Sequence, residues 1–177
     1  MSRSMWLAAA LVWMSTGGAA QPAADFTGRW TIETPPAPPA TAGAPGAQRP
    51  DMGSGWGPTI TIAQDAKQLA IEYVQFSRYD LQPPIKLVYM LDGSESKNTV
   101  MISHASQVQR SRAAWDGAAL VITTQHTLID PASGKPVTAE VTQRLSLQSP
   151  TTLVVQVTRA GVLGGQSTTT KTIYRKA

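Results

Sequence analysis

From residue 59 onward the sequence repeats one kind of unit: an alternating run rich in β-branched and apolar residues, then a connection with room only for a turn. Runs at 59–63 and 68–76 flank Gln64-Asp65-Ala66-Lys67. Runs at 85–91 and 97–103 flank Asp92-Gly93-Ser94, and runs at 107–115 and 119–129 flank Asp116-Gly117. Asp-Gly between alternating runs is a strong hairpin signal, because both residues tolerate the positive φ of a tight turn. The run at 136–147 follows the turn from Asp130 to Lys135. Ser149-Pro150 then breaks the chain before 152–160, and 166–175 ends the series. With a first strand at 25–33 (DFTGRWTIE) this makes about ten strands and no convincing helix.

Strands joined by such short connections pair antiparallel, because a parallel return needs a long crossover. The expected class is therefore all-β: an antiparallel up-and-down meander of about 8–10 strands. Such a meander exposes two edges unless it closes, and a barrel removes both. A barrel is thus the expected form, with an open twisted sheet or a two-layer sandwich as the alternatives.

Two segments fall outside this rhythm. Residues 1–20 have the layout of a secretory leader: Arg3, an apolar run from Trp6 to Met14, then Ser15-Thr16-Gly17-Gly18-Ala19-Ala20. That run is too short for a membrane helix, which takes about 20 residues. Gly18 and Ala20 suit a cut before Gln21. Residues 34–58 hold seven of the thirteen prolines among many glycines and alanines, without apolar periodicity. They read as a long loop, either a flexible insertion or a lid over a cavity mouth. The expected organisation is a signal peptide at 1–20 and a single β domain at 21–177 that contains this loop.

The chain has no cysteine, so it carries no lipid at a post-cleavage thiol and no disulfide staple. The expected product is unanchored after cleavage and either periplasmic or secreted. A formal net charge of +4, reduced by one when Arg3 leaves with the leader, is mild. The basic residues are scattered, unlike the dense basic face of a nucleic-acid binder. His104 and His126 are the two histidines. Without cysteines or clustered carboxylates they make no metal motif. No G-x-S-x-G elbow appears, and the carboxylates sit mainly in turns. No cofactor, metal or catalytic residue is expected.

Alternation assigns the faces. Leu120, Ile122, Thr124, His126 and Leu128 share one face; Val137, Ala139, Val141, Gln143, Leu145 and Leu147 another; Leu153, Val155, Val157 and Arg159 a third. Leu69, Ile71 and Tyr73 align, as do Ile85, Leu87 and Tyr89. His126, Gln143 and Arg159 are therefore polar interruptions of inward apolar rows on three consecutive strands. Matched registers would bring them together as ligand-orienting groups. Tyr73 and Tyr89 complete the candidate ligand-binding set. Arg110 and Arg112 share a face opposite Gln109, Ser111, Ala113 and Trp115; with Trp115 in the core, the arginines point to water.

Gly28-Arg29-Trp30 resembles the start of the lipocalin and wider calycin group, in which a Gly-x-Trp lies on the first strand and its Trp closes one end of the barrel. That resemblance implies an early long loop partly covering the cup, here 34–58, and a late arginine on the Trp, Arg159 or Arg175. The chain departs from the group in lacking a C-terminal helix and a Thr-Asp-Tyr-type turn. The stretch from Tyr89 through Asp92-Gly93 and Arg112-Ala113-Ala114-Trp115-Asp116-Gly117 to Leu120-Val121-Ile122-Thr123 also resembles uncharacterised exported bacterial β-rich proteins. The expected function is binding of a small, partly apolar or amphipathic molecule inside the barrel. The alternative is a non-catalytic envelope interaction module acting through its surface or its Pro-rich loop.

Overall fold

A computed structural model of the chain describes residues 23–33, 54–74, 83–102, 105–130, 133–161 and 165–177. Residues 1–20, expected to be a leader, and residues 34–53 of the Pro-rich stretch lie outside these. Ten strands form where the turn signals separate them: β1 (Gly28–Ile32), β2 (Thr59–Gln64), β3 (Gln68–Tyr73), β4 (Ile85–Met90), β5 (Glu95–Ile102), β6 (Ala105–Asp116), β7 (Ala119–Ile129), β8 (Pro136–Ser149), β9 (Thr152–Arg159) and β10 (Thr168–Lys176). None of the described residues is helical.

The strands make one antiparallel sheet in the order β4-β3-β2-β1-β10-β9-β8-β7-β6-β5. β1 and β10, first and last in chain order, pair through Trp30↔Lys176, Thr31↔Arg175 and Ile32↔Tyr174. That pairing turns a simple meander into a nearly closed barrel, of lipocalin-like general shape, whose two edges β4 and β5 face each other. Asp65 Oδ1 organises the β2–β3 turn by accepting from the Lys67 and Gln68 amides at 2.7 and 2.8 Å. These bonds hold its carboxyl below the ordinary 3.8. Asp92 Oδ1 accepts from the Ser94 amide at 2.9 Å in the turn between β4 and β5.

Among the described residues no backbone ladder joins β4 to β5; side chains close the gap. Asn98 Oδ1 accepts from the Val88 amide (2.8 Å) and Asn98 Nδ2 donates to the Val88 carbonyl (3.0 Å). Ser96 Oγ accepts from the Met90 amide at 2.8 Å. A carboxamide carries the donor and acceptor of a peptide group, so Asn98 reproduces the pair of bonds a partner strand would have made. This explains why two polar residues lie buried on the inner side of β5.

One end of the barrel is sealed by aromatic residues. Trp30 is fully buried, and its Nε1 donates to the Phe26 carbonyl at 2.8 Å. Phe26 stacks on Trp115 with centroids 6.0 Å apart and planes 7° from parallel. Gln64 clamps the incoming segment, accepting from the Phe26 amide (3.0 Å) and donating to the Ala24 carbonyl (2.9 Å).

The cation over Trp30 is Lys176, with Nζ 5.3 Å from the ring centroid, rather than Arg159 or Arg175. Register decides this. Lys176 is the direct cross-strand partner of Trp30, and Arg175 is one residue off, on the opposite face. Arg175 instead makes two 3.1 Å bonds to Glu33.

Gly28 has φ 144°, and a Cβ there would meet Lys176 Cε at 2.6 Å. Gly28→Ala is expected to cost about 1–3 kcal/mol, mainly in backbone strain. The measurement is the urea midpoint, which should fall at an unchanged m-value; a wild-type midpoint contradicts the account.

Candidate functional site

The interior is packed unevenly. β1, β2 and β3 contribute Trp30, Ile60, Ile62, Leu69 and Ile71, all fully buried. The inner faces of β5–β8 carry smaller buried residues, among them Ser96, Asn98, Ser111, Ala113, Thr124 and Ala139. Ser111 and Thr124 satisfy each other at 2.8 Å. On β7 and β8 the inner row passes from fully buried Leu120, Ile122 and Leu145 to Thr124, Gln143 and Ala139, and the smaller end leaves space unfilled.

Part of that space is taken by residues 54–58, the end of the Pro-rich stretch. Trp56 is 2% exposed. Its amide donates to Ser54 Oγ (3.2 Å), Ser54 Oγ lies 2.5 Å from the Tyr174 hydroxyl, and Tyr174 donates to the Gly57 carbonyl (2.8 Å). Because the tyrosine proton goes to Gly57, the serine hydroxyl donates to the tyrosine oxygen. Gln143 Nε2 adds a bond to the Ser54 carbonyl at 2.7 Å. Gly55 and Gly57, with φ 86° and 80°, let the backbone bend around the indole.

Beside Trp56 a cavity of about 490 Å³ remains, reaching the ends of β3, β7 and β9. Trp56, Leu87, Val141 and Val157 give it apolar surface, with Leu128 and Ala160 near the strand ends. All five candidate residues line it: Tyr73, Tyr89, His126, Gln143 and Arg159.

Register separates the polar three. Gln143 pairs with Ile122 and Val157, Arg159 with Val141, and His126 with Ala139. Same-face residues stand about 6.5–7 Å apart along a strand. The three therefore occupy successive heights on one wall instead of converging on a point. Gln143, the deepest, is engaged by Ser54. Arg159 Nη1 donates to Thr170 Oγ1 at 3.2 Å, and His126 lies nearest the strand ends.

Burial sets the protonation of this wall. It lowers the His126 pKa below the ordinary 6.5, so the imidazole is neutral at pH 7. Burial raises Tyr73. Tyr89 is raised by burial first and by neighbouring Tyr73 second, against a hydrogen bond from the Trp56 side chain. Both phenols stay protonated. The charged residues lining the cavity are Arg159 and Glu140.

Arg110 and Arg112 face outward, as the burial of Ser111 and Ala113 requires. Arg110 pairs with Glu95 at 3.1 Å, and Arg112 Nη1 reaches the Gly93 carbonyl at 3.4 Å. His104 lies outside the described residues.

No protein-family model, curated protein or solved structure matches this chain. The cavity itself offers an aromatic and aliphatic surface, neutral hydroxyl and imidazole groups, one guanidinium and, from exposed Glu140, one carboxylate. That set suits noncovalent capture of a molecule with an apolar body and a polar end. Ser54, Trp56 and Tyr174 are site residues that the alternation of faces did not single out. For Ser54 and Trp56 the sequence signal is a tryptophan between two glycines in a Pro-rich run.

Two outcomes follow from these contacts. Tyr174→Phe removes a donor to a carbonyl and an acceptor for a buried hydroxyl, and is expected to cost about 1–3 kcal/mol by chemical denaturation. For His126 the folded pKa is depressed, so its contribution to stability is complete above about pH 6.5. It is lost as the pH falls toward the folded value, where the unfolded state takes up the proton first. His126→Gln should flatten the fall in unfolding free energy on acidification below pH 6.5; an unchanged slope refutes the assignment.

Proposed function

We infer that this protein is a barrel-type carrier for a small, partly apolar molecule, exported through its leader and acting in the periplasm or outside the cell. The observation that carries the reading is the hollow beside Trp56. A barrel whose only requirement was stability would fill that volume, since each unfilled methylene-sized space costs packing energy. Here the volume falls in the size range of small-molecule pockets, and polar groups are few and set at different heights.

In this reading the apolar body lies against Trp56, Tyr89, Leu87 and Val157, with its polar end toward Arg159 and His126. Gln143 serves the site indirectly. Its carboxamide holds Ser54, and so keeps Trp56 in place as a wall of the cavity.

The direct test is native mass spectrometry of the mature protein purified from its own compartment, paired with thermal shifts across lipids and metabolites. A retained small molecule and a concentration-dependent rise in Tm are expected. Ala139→Phe projects a ring into the hollow from β8. It should abolish both signals while leaving the melting temperature of the empty protein equal or higher. No retained mass and no shift from any compound would overturn the reading.

A further inference from the structure

Closure at β4 and β5 differs in kind from every other strand contact among the described residues. Elsewhere each pair is held by a backbone ladder running most of the shorter strand. Here the hydrogen bonding consists of one bond accepted and one donated by Asn98 and one accepted by Ser96. We propose that this seam is a lateral gate through which the cavity exchanges its ligand, an inference that rests on the ligand-binding reading above.

Two features of the geometry support it. The cavity adjoins the seam, because Leu87 and Tyr89 of β4 and Gln109 of β6 line it on either side of β5. Leu87 and Tyr89 alternate with Val88 and Met90, whose amides carry the seam bonds. Parting the strands therefore uncovers the residues of the cavity wall themselves.

Each edge is also anchored independently of the other. β4 is registered on β3 from Gln68↔Met90 to Tyr73↔Ile85. The Leu91 amide adds a bond to the Lys67 carbonyl at 2.8 Å. β5 is registered on β6 from Glu95↔Arg112 to Ile102↔Ala105. The seam can thus open while both ladders stay intact, pivoting on the turn at 91–94.

Residues 54–58 fill part of the loop end of the barrel, held by Tyr174 and Gln143, and the cavity also opens there past the exposed Leu128 and Ala160, so the seam is a second route on its side. The released groups at the seam find water at once, and polar side chains on a short reach reclose easily.

The experiment has an arm without ligand and an arm with one. Residue-resolved amide exchange on the mature protein compares Val88 and Met90 with Leu87 and Tyr89, which face the β3 ladder on the same strand. Seam amides should exchange about tenfold faster or more, the factor expected when opening breaks few bonds. Equal protection within the strand would overturn the gate.

In the second arm, stopped-flow fluorescence follows 1-anilinonaphthalene-8-sulfonate binding to wild type and Asn98→Ala. Association and dissociation should both accelerate, by about tenfold for the loss of two bonds, with Kd nearly unchanged. A variant that only loosened the fold would weaken Kd and leave association alone, which counts against the gate. Ser96→Ala, which loses one bond, should show the same pattern at smaller size if Asn98→Ala fails to fold. Failure of the probe to bind wild type refutes the cavity reading, whereas the amide comparison still decides whether the seam opens.

Discussion

The backbone amides and carbonyls along the two edges of a meander have to be satisfied, and this constraint organises the molecule. Pairing of β1 with β10 brings β4 opposite β5. With the edges facing each other, exposed hydrogen-bonding groups that would invite another chain are turned toward the protein's own interior wall. The gap is then bridged by Asn98 and Ser96. A side-chain amide placed this way costs little to bury, because both its donor and its acceptor are used. Had β5 carried leucine and valine at these two positions, the Val88 and Met90 amides would have been left without a protein partner.

Small inner side chains also border the hollow, where Thr124 and Ala139 line it. Polar residues short enough to serve the seam are also too small to reach across the barrel. The inner faces of β6 and β7 continue the pattern with Ser111, Ala113 and Thr124. Bulk lies toward the other end, where Leu120 and Ile122 of β7 and Leu145 of β8 join Trp30, Ile62 and Leu69, and Trp56 comes from a segment outside the strand series. The packed end and the open end are thus two results of one distribution of residue size. Trp30, Phe26 and Trp115 stopper the barrel where the hairpin turns are tight.

Local pattern carried most of the fold. Period-two alternation and Asp-containing turns located all ten strands, because each depends on residues within a few positions of one another. Face assignment followed from the same alternation, which is why Tyr73, Tyr89, His126, Gln143 and Arg159 were legible as inward residues before the cavity was seen. Register was not legible. Whether Arg159 stands level with Gln143 or one step above it depends on where two hairpins start, and the Leu147/Ser149 irregularity in β8 shifts that count. The Trp30 cation was misassigned among C-terminal residues for the same reason: one position of register exchanges Arg175 for Lys176. Trp56 was hidden because its burial depends on Tyr174 and Gln143, far along the chain, and no local periodicity reports such a contact.

The bond between Tyr174 and the 54–57 segment spans almost the whole described chain, from a residue ahead of β2 to one near the end of β10. β1 likewise meets its second neighbour only when β10 exists. A ribosome therefore has to release the chain through β10 before the barrel can shut, and Trp56 has no hydroxyl network to settle into until Tyr174 emerges. The order of assembly is imposed by the wiring: hairpins first, ring last. Until β10 is made the strands can pair only as two separate meanders, β1–β4 and β5–β9, and that one strand is the clasp that makes them a ring.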